Sequence, residues 1–282
     1  MMPKWQLFAQ CGVFAALLLS PPRTSAVTPD ELRLAAIPAG SFEPFYADPV
    51  KSGSPPLSKK RTPARVSVHA FLLDPYPVTK ARFLDFVTAH PQWRRSEAKR
   101  LFADAGYLRS WNSDLEFSGD PEQPVTEVSW FAAKAFCKAQ DERLPTTSEW
   151  EFTARADETK ADATGDERYL SRILDWYGRR EAATPLVGVW RNVYGVYDLH
   201  GLIWEWVADF NSALITSESR QDSGSERDLF CGGGSTFASE KQKRDYAAFM
   251  RYAFRSSLEG TFALPQLGFR CAKDLPLHRR KK

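Results

Sequence analysis

The stretch Gly195-Val-Tyr-Asp198-Leu-His-Gly201-Leu-Ile203-Trp-Glu205-Trp206 constrains the fold more than any other part of the chain. It reads as a tight turn followed by an alternating run. In a strand, Ile203 and Glu205 would share one face and Trp204 and Trp206 the other, so the tryptophans should anchor a core. The same stretch concentrates oxygen. Asp198 and Glu205 offer carboxylates, and a turn at Gly201 can expose backbone carbonyls between them, an all-oxygen set of the kind a hard cation such as calcium prefers. Taken alone, the two carboxylates weigh toward solvated surface charges, because acidic side chains usually stay in water.

Two other blocks bear on that choice. Arg143-Leu-Pro-Thr-Thr-Ser-Glu-Trp-Glu-Phe152 lies upstream and Leu267-Gly-Phe-Arg-Cys-Ala272 near the end. With Tyr197 to Trp206 between them, the chain resembles the formylglycine-generating-enzyme (sulfatase-modifying factor) family from about Leu34 to Asp274. The resemblance implies a single irregular α+β domain, spanning 27–282, with little regular secondary structure and long loops. It also implies one calcium ion, held by the side chains of Asp198 and Glu205 and the carbonyls of Gly201 and Ile203. The family's other calcium site has no counterpart in Asp157 to Gly188.

The chain has 282 residues, 43% of them hydrophobic and 13% aromatic, which is ample for a sizeable core. A net charge of +3 and a pI near 8.6 are too mild to imply nucleic acid as a partner. Basic residues are dispersed apart from the tail His278-Arg-Arg-Lys-Lys282, which reads as a solvated terminus. At the other end, Lys4, the apolar run Val13 to Leu19, Pro21-Pro22 and Thr24-Ser-Ala26 read as a secretory signal over residues 1–26. The run is too short for a permanent anchor and no later segment approaches a membrane span, so the expectation is a soluble periplasmic or secreted protein without an integral membrane segment.

Of the four cysteines, Cys11 lies inside the signal, leaving Cys137, Cys231 and Cys271 in an oxidising compartment. One bond and one leftover thiol is the simplest arithmetic, and sequence alone permits three pairings. The family resemblance selects Cys137 with Cys271 and leaves Cys231 over.

In order along the chain, Leu34 to Phe42 reads as a strand into a turn, Tyr46 to Thr62 as a loop, and Val66 to Leu73 as one half-buried strand. Thr79 can cap a helix to about Ala89 with Phe83, Phe86 and Val87 as its buried stripe. Trp93 to Trp111 reads as an amphipathic helix and a loop. Ser129 can cap a helix over Trp130 to Gln140, and Thr146 with Glu149 has capping-box spacing before Trp150 and Phe152. Asp157 to Gly188 reads as a surface excursion.

Catalytic signals are scarce. Cys231-Gly-Gly-Gly-Ser235 lacks the lysine of a phosphate-binding loop, no Gly-x-Ser-x-Gly elbow occurs, and the four histidines never fall at ligand spacing. By resemblance, Arg251-Tyr252-Ala-Phe-Arg255-Ser256 matches the segment where one copper-binding cysteine follows an arginine and its partner lies five residues earlier. Those positions hold Tyr252 and Ala247. Copper(I) needs soft thiolates, so no copper is expected and the family's oxidase chemistry should be missing.

Two readings follow. In the first, the chain is a non-catalytic exported module whose cleft, around Cys231, Tyr246, Arg251, Tyr252 and Arg255, binds a protein or peptide partner. It then resembles the periplasmic member of this fold that acts in kinase-controlled activation of type VI secretion, with a membrane sensor or kinase as the implied partner. In the second, it is an oxidative tailoring enzyme similar to the member that matures the pyoverdine siderophore chromophore. The first is favoured because no residue constellation supplies a redox centre.

Overall fold

A computed structural model describes residues 34–44, 65–178, 187–211 and 240–275. Its strands are short. β1 (Ala35–Ile37), β4 (Phe71–Leu73) and β9 (Ala272–Asp274) form an antiparallel sheet in that order, with Leu73 opposite both Ala35 and Ala272. The N-terminal part of the domain is thereby fastened to the C-terminal block. β2 (Gly40–Phe42) pairs with β3 (Val66–Val68) in a separate antiparallel ribbon.

The single strand expected from Val66 to Leu73 is therefore two. β3 and β4 belong to different sheets, and the break at His69 and Ala70 shifts the phase, so that Val68, Phe71 and Leu73 are buried. The expected alternation put Val68 and Phe71 on opposite faces, which a bend between sheets allows both to leave solvent.

The main core is helical and aromatic. Thr79 caps α1 (Lys80–Ala89) by accepting from the Arg82 N–H, and Phe83, Phe86 and Val87 point inward as the spacing predicts. Ser129 caps α2 (Trp130–Ala139), whose Phe136 stacks on Phe83 at 5.9 Å and meets Phe269 edge-on at 5.3 Å. Such ring pairs add to the hydrophobic gain of burying large side chains. Trp206, fully buried, joins this core and donates its indole N–H to the Val128 carbonyl at 2.8 Å.

Two expectations fail here. Trp93 to Trp111 contains only a short 3-10 turn at Pro91–Trp93 and a series of turns, before β5 (Trp111–Ser113) pairs with β6 (Glu116–Phe117). The charged residues there meet loop acceptors, as when Arg95 donates to the Trp111 carbonyl, in place of a helical face. Asp157 to Gly188 is no mere excursion either. Asp166 caps α4 (Glu167–Tyr177), and Tyr169, Leu170 and Ile173 form a small core with Ala163 and Ala247 of α5 (Glu240–Ser256). The buried stripe of α4 is only one turn and a half long, too short to stand out from a charged stretch.

The capping box forms as its spacing predicts, with Thr146 accepting from Glu149 N and Glu149 from Thr146 N, and it starts α3 (Thr147–Ala154). The expected alternating run is regular only in β7 (Trp204–Glu205), which pairs in parallel with β8 (Leu267–Gly268). Gly268 is obligatory, since a Cβ there would lie 2.3 Å from the Val125 carbonyl oxygen. This pairing sets Glu205 beside the segment carrying Arg270.

Cys137 on α2 and Cys271 are joined, with a sequence separation of 134 residues. In the chain-entropy model, closing so long a loop stabilises by about 4 to 5 kcal/mol less any strain. Reduction, or Cys137→Ser with Cys271→Ser, should lower the unfolding free energy by a matching amount and the denaturant midpoint with it, with a somewhat larger m-value because the unlinked unfolded chain exposes more surface. An unchanged midpoint would mean that the bond contributes nothing.

Candidate binding pocket

α3 presents Trp150 and Glu151 in its first turns, the capping box having fixed where the helix begins. Glu151, buried, receives Arg251 from α5 through Nη2 at 2.7 Å and Nε at 2.9 and 3.1 Å, and Arg255 one turn later through Nη1 at 2.7 Å. Burial alone would raise the Glu151 carboxyl, but the two guanidinium groups outweigh it and hold it down at about 2. The carboxylate is thus ionised, and α5 is clamped to α3 by charge-assisted bonds.

Against this clamp lies a cavity of about 260 Å³ between α3, α4 and α5. Its apolar wall includes Leu170 and Ile173 of α4 and Ala247 and Ala248 of α5, and Arg155 and Arg244 contribute charge. Arg155 is tied to Asp162 at 2.7 Å and stands over the Phe42 ring at 5.6 Å. Tyr169 and Tyr252 also line the cavity, and burial pushes both phenols well above the usual tyrosine range. They serve as neutral hydroxyls and not as phenolates. Beside Tyr169, the His200 Nε2 lies 3.0 Å from both the Tyr169 hydroxyl and the Ala154 carbonyl. Burial first, and the positive charge of Arg251 second, push His200 down to about 3, so it is neutral.

The residues expected to form the cleft are only partly brought together. Arg251 and Tyr252 line the cavity, whereas Arg255 lies behind Glu151 and Tyr246 is half-buried elsewhere on α5. They do not make an exposed interface: Tyr252 and Arg255 are 7% and 5% exposed. Both arginines share the one Glu151 carboxylate, Arg251 through Nε and Nη2 and Arg255 through Nη1 alone, so they face the interior and do not project from an exposed surface. Sequence reasoning missed Glu151 itself, although the i, i+4 spacing of the two arginines could have suggested a shared buried acid. Cys231 lies outside the described residues. No shift of alignment restores a thiolate pair on α5, because the chain's cysteines are Cys11, Cys137, Cys231 and Cys271 and none falls within 240–256.

The oxygen-rich turn is built differently from the expected ligand set. Asp198 (φ 56°) accepts backbone N–H groups from Val189 at 3.0 Å and Trp190 at 2.8 Å on Oδ1, and from Gly188 on Oδ2. Glu205 accepts from Arg270 on both oxygens at 2.8 Å and from the Trp150 indole at 2.8 Å. Gly201 (φ 94°) makes room for Trp190, whose ring would stand 2.7 Å from an added Cβ. Donor N–H groups thus occupy both carboxylates, and a guanidinium flush on Glu205 would repel a dication. As arranged, Asp198, Gly201, Ile203 and Glu205 do not fit calcium. Among the described residues, the cluster Asp74, Glu142 and Cys271 brings three metal-type ligands together, but Cys271 is spent in the disulfide.

This fold, with a pocket at the α3–α5 clamp and little regular sheet, places the chain in a known class. Residues 22–275 match the sulfatase-modifying factor enzyme 1-like domain, and the chain belongs to that formylglycine-generating-enzyme family. It is 28% identical to the formylglycine-generating enzyme of Streptomyces coelicolor, over 86% of this chain and 89% of that one. It is equally similar, at 28%, to the inactive C-alpha-formylglycine-generating enzyme 2 of Mus musculus, over 91% of both chains. It is 27% identical to the serine/threonine-protein kinase pkn1 of Chlamydia caviae over 56% of this chain, but spans only 26% of the kinase.

Two outcomes are expected. Calcium or EDTA should leave the melting temperature unchanged, since a cation stabilises only by binding the folded state; a rise with calcium that Asp198→Ala removes would restore the cation site. The second concerns acid. An unfolded histidine binds a proton near 6.5 while folded His200 resists protonation down to about 3, so its stabilising contribution is complete above pH 6.5 and declines as the pH falls toward 3. Glu151 adds its own loss only below its ordinary value of 4.5. Between pH 6.5 and 4.5, His200→Gln should therefore flatten the fall in unfolding free energy, and an identical slope in the variant would contradict the assignment.

Proposed function

We propose that this chain is a non-catalytic, exported binding module in which the pocket between α3, α4 and α5 receives a segment of a peptide or protein partner. The observation that carries the reading is the composition of that pocket. Where a thiolate pair would be needed for copper(I) and oxygen, α5 supplies Ala247, Ala248 and Tyr252, and the charged groups are locked in the Glu151 clamp. A cavity of about 260 Å³ with an apolar wall and charged side chains suits one or two residues of an extended segment. Relatives named as active and as inactive are equally similar, at 28%, so the fold is compatible with either and the reading rests on the pocket's residues.

Export rests on the signal-like residues 1–26, which lie outside the described residues, and agrees with a disulfide in the domain. No described helix is long and apolar enough to cross a membrane. The similarity to a kinase-named chain supports a protein-signalling setting; a membrane sensor or kinase as partner and control of type VI secretion are the finer reading that the family resemblance implies.

The test fills the pocket without touching the clamp. Ala248→Phe should keep the melting temperature within a few degrees and abolish retention of the partner that wild type retrieves from periplasmic extract. A partner retained equally by both proteins would place binding elsewhere. No partner, together with oxygen consumption on a small aromatic substrate, would favour the tailoring enzyme.

A further inference from the structure

A second cavity, of about 10 Å³, shares Arg251 with the larger one and is walled by Trp150, Trp176, Trp204, Phe254 and Arg255. It holds about one probe sphere, room for a single water or a single ligand oxygen. Arg255 is 5% exposed, yet of its five N–H donors one is committed, to Glu151 at 2.7 Å. The rest of the guanidinium meets no other acceptor among the described residues and lies 4.6 Å from the Trp150 ring.

Charge points the same way. Trp150 bridges the clamp to the Glu205–Arg270 pair, since its indole donates to Glu205 while its ring carries Arg255. Among the described residues this connected interior contains three guanidiniums (Arg251, Arg255, Arg270) and two carboxylates (Glu151, Glu205), an excess of one positive charge on side chains that are 12% exposed or less. A buried charge without a counterpart is costly, so the excess selects for an anionic group. The positive field is felt by His200, which lines the same cavity and is held neutral partly by Arg251.

The mouth is aromatic. Trp204 stacks on Phe254 at 4.4 Å and tilts against Trp176 at 4.9 Å, and all three rings are half-buried. Tyr177 also stacks on Trp204 at 5.3 Å, so the cluster offers its rim for a flat ring to lie against, but no room for it inside.

We propose that Arg255 is the anchor of a carboxylate site: one oxygen of an aryl-bearing acid enters the small cavity as acceptor, and the ring rests on Trp176, Trp204 and Phe254. The acid is a free small molecule or the C-terminal residue of a peptide ending in an aromatic. The site goes beyond the larger pocket's role and does not rest on it, so Ala248→Phe should leave it intact.

Calorimetric titration of the full chain tests it. Phenylacetate should bind saturably, and uncharged phenylacetamide at least tenfold more weakly; equal binding of the two, or no saturable binding of the acid, would overturn the site. Arg255→Met should weaken phenylacetate at least tenfold and Trp176→Ala severalfold. Should Arg255→Met fail to fold, the acid–amide comparison on wild type decides alone. A peptide ending in phenylalanine separates the sources: tighter binding than phenylacetate, lost on C-terminal amidation, assigns the peptide terminus, and weaker binding assigns the small acid.

Discussion

Everything else in this fold depends on the buried pair of Glu205 and Arg270, whose side chains are both fully inaccessible. All five guanidinium donors are met, by Glu205 and by the carbonyls of Asp74, Pro75 and Tyr197. Glu205 in turn takes the Trp150 indole. Four segments far apart in sequence are thereby fixed at one point. A pair like this adds less net stability than its geometry suggests, because both ions are dehydrated, but losing one partner strands a buried charge at about 3 to 5 kcal/mol. The pair therefore specifies which segments meet more than it deepens the energy minimum.

That division suits a chain whose sheets are too short to organise it. Strands of two or three residues cannot set the position of α3 relative to α5; a network of indole, carboxylate and guanidinium can. The pocket follows directly. Trp150 is pinned from below by Glu205, so Glu151 projects from the next position into the reach of Arg251 and Arg255, and the space left between α4 and α5 is open where α5 presents Ala247 and Ala248. Burial keeps the phenols of Tyr169 and Tyr252 and the imidazole of His200 neutral, and Glu151 holds one Arg255 nitrogen and most of the Arg251 fork.

Legibility in the sequence tracked locality. The caps at Thr79, Ser129 and Thr146 could be read because each involves residues three apart, and the stripe Phe83, Phe86 and Val87 because it repeats on one helix face. The three blocks gave the family through resemblance. What stayed hidden was non-local. Nothing near Glu205 announces that Arg270, 65 residues on, will neutralise it, so the two close acids read alone as solvated charges and, by resemblance, as calcium ligands. Nothing near Arg251 announces Glu151, 100 residues away, so two arginines read as a contact surface. The break of Val66 to Leu73 into β3 and β4 likewise depends on two different partners, β2 and the β1–β9 pair.

The central proposal is that the family's fold is kept here without a thiolate pair on α5. The most direct test is to incubate the mature chain with a sulfatase-type cysteine peptide, copper(I) and oxygen, and to follow the peptide by mass spectrometry beside a no-enzyme control. The account predicts an unmodified cysteine and no copper retained by the protein after desalting. Conversion of the cysteine to formylglycine above the control would contradict it.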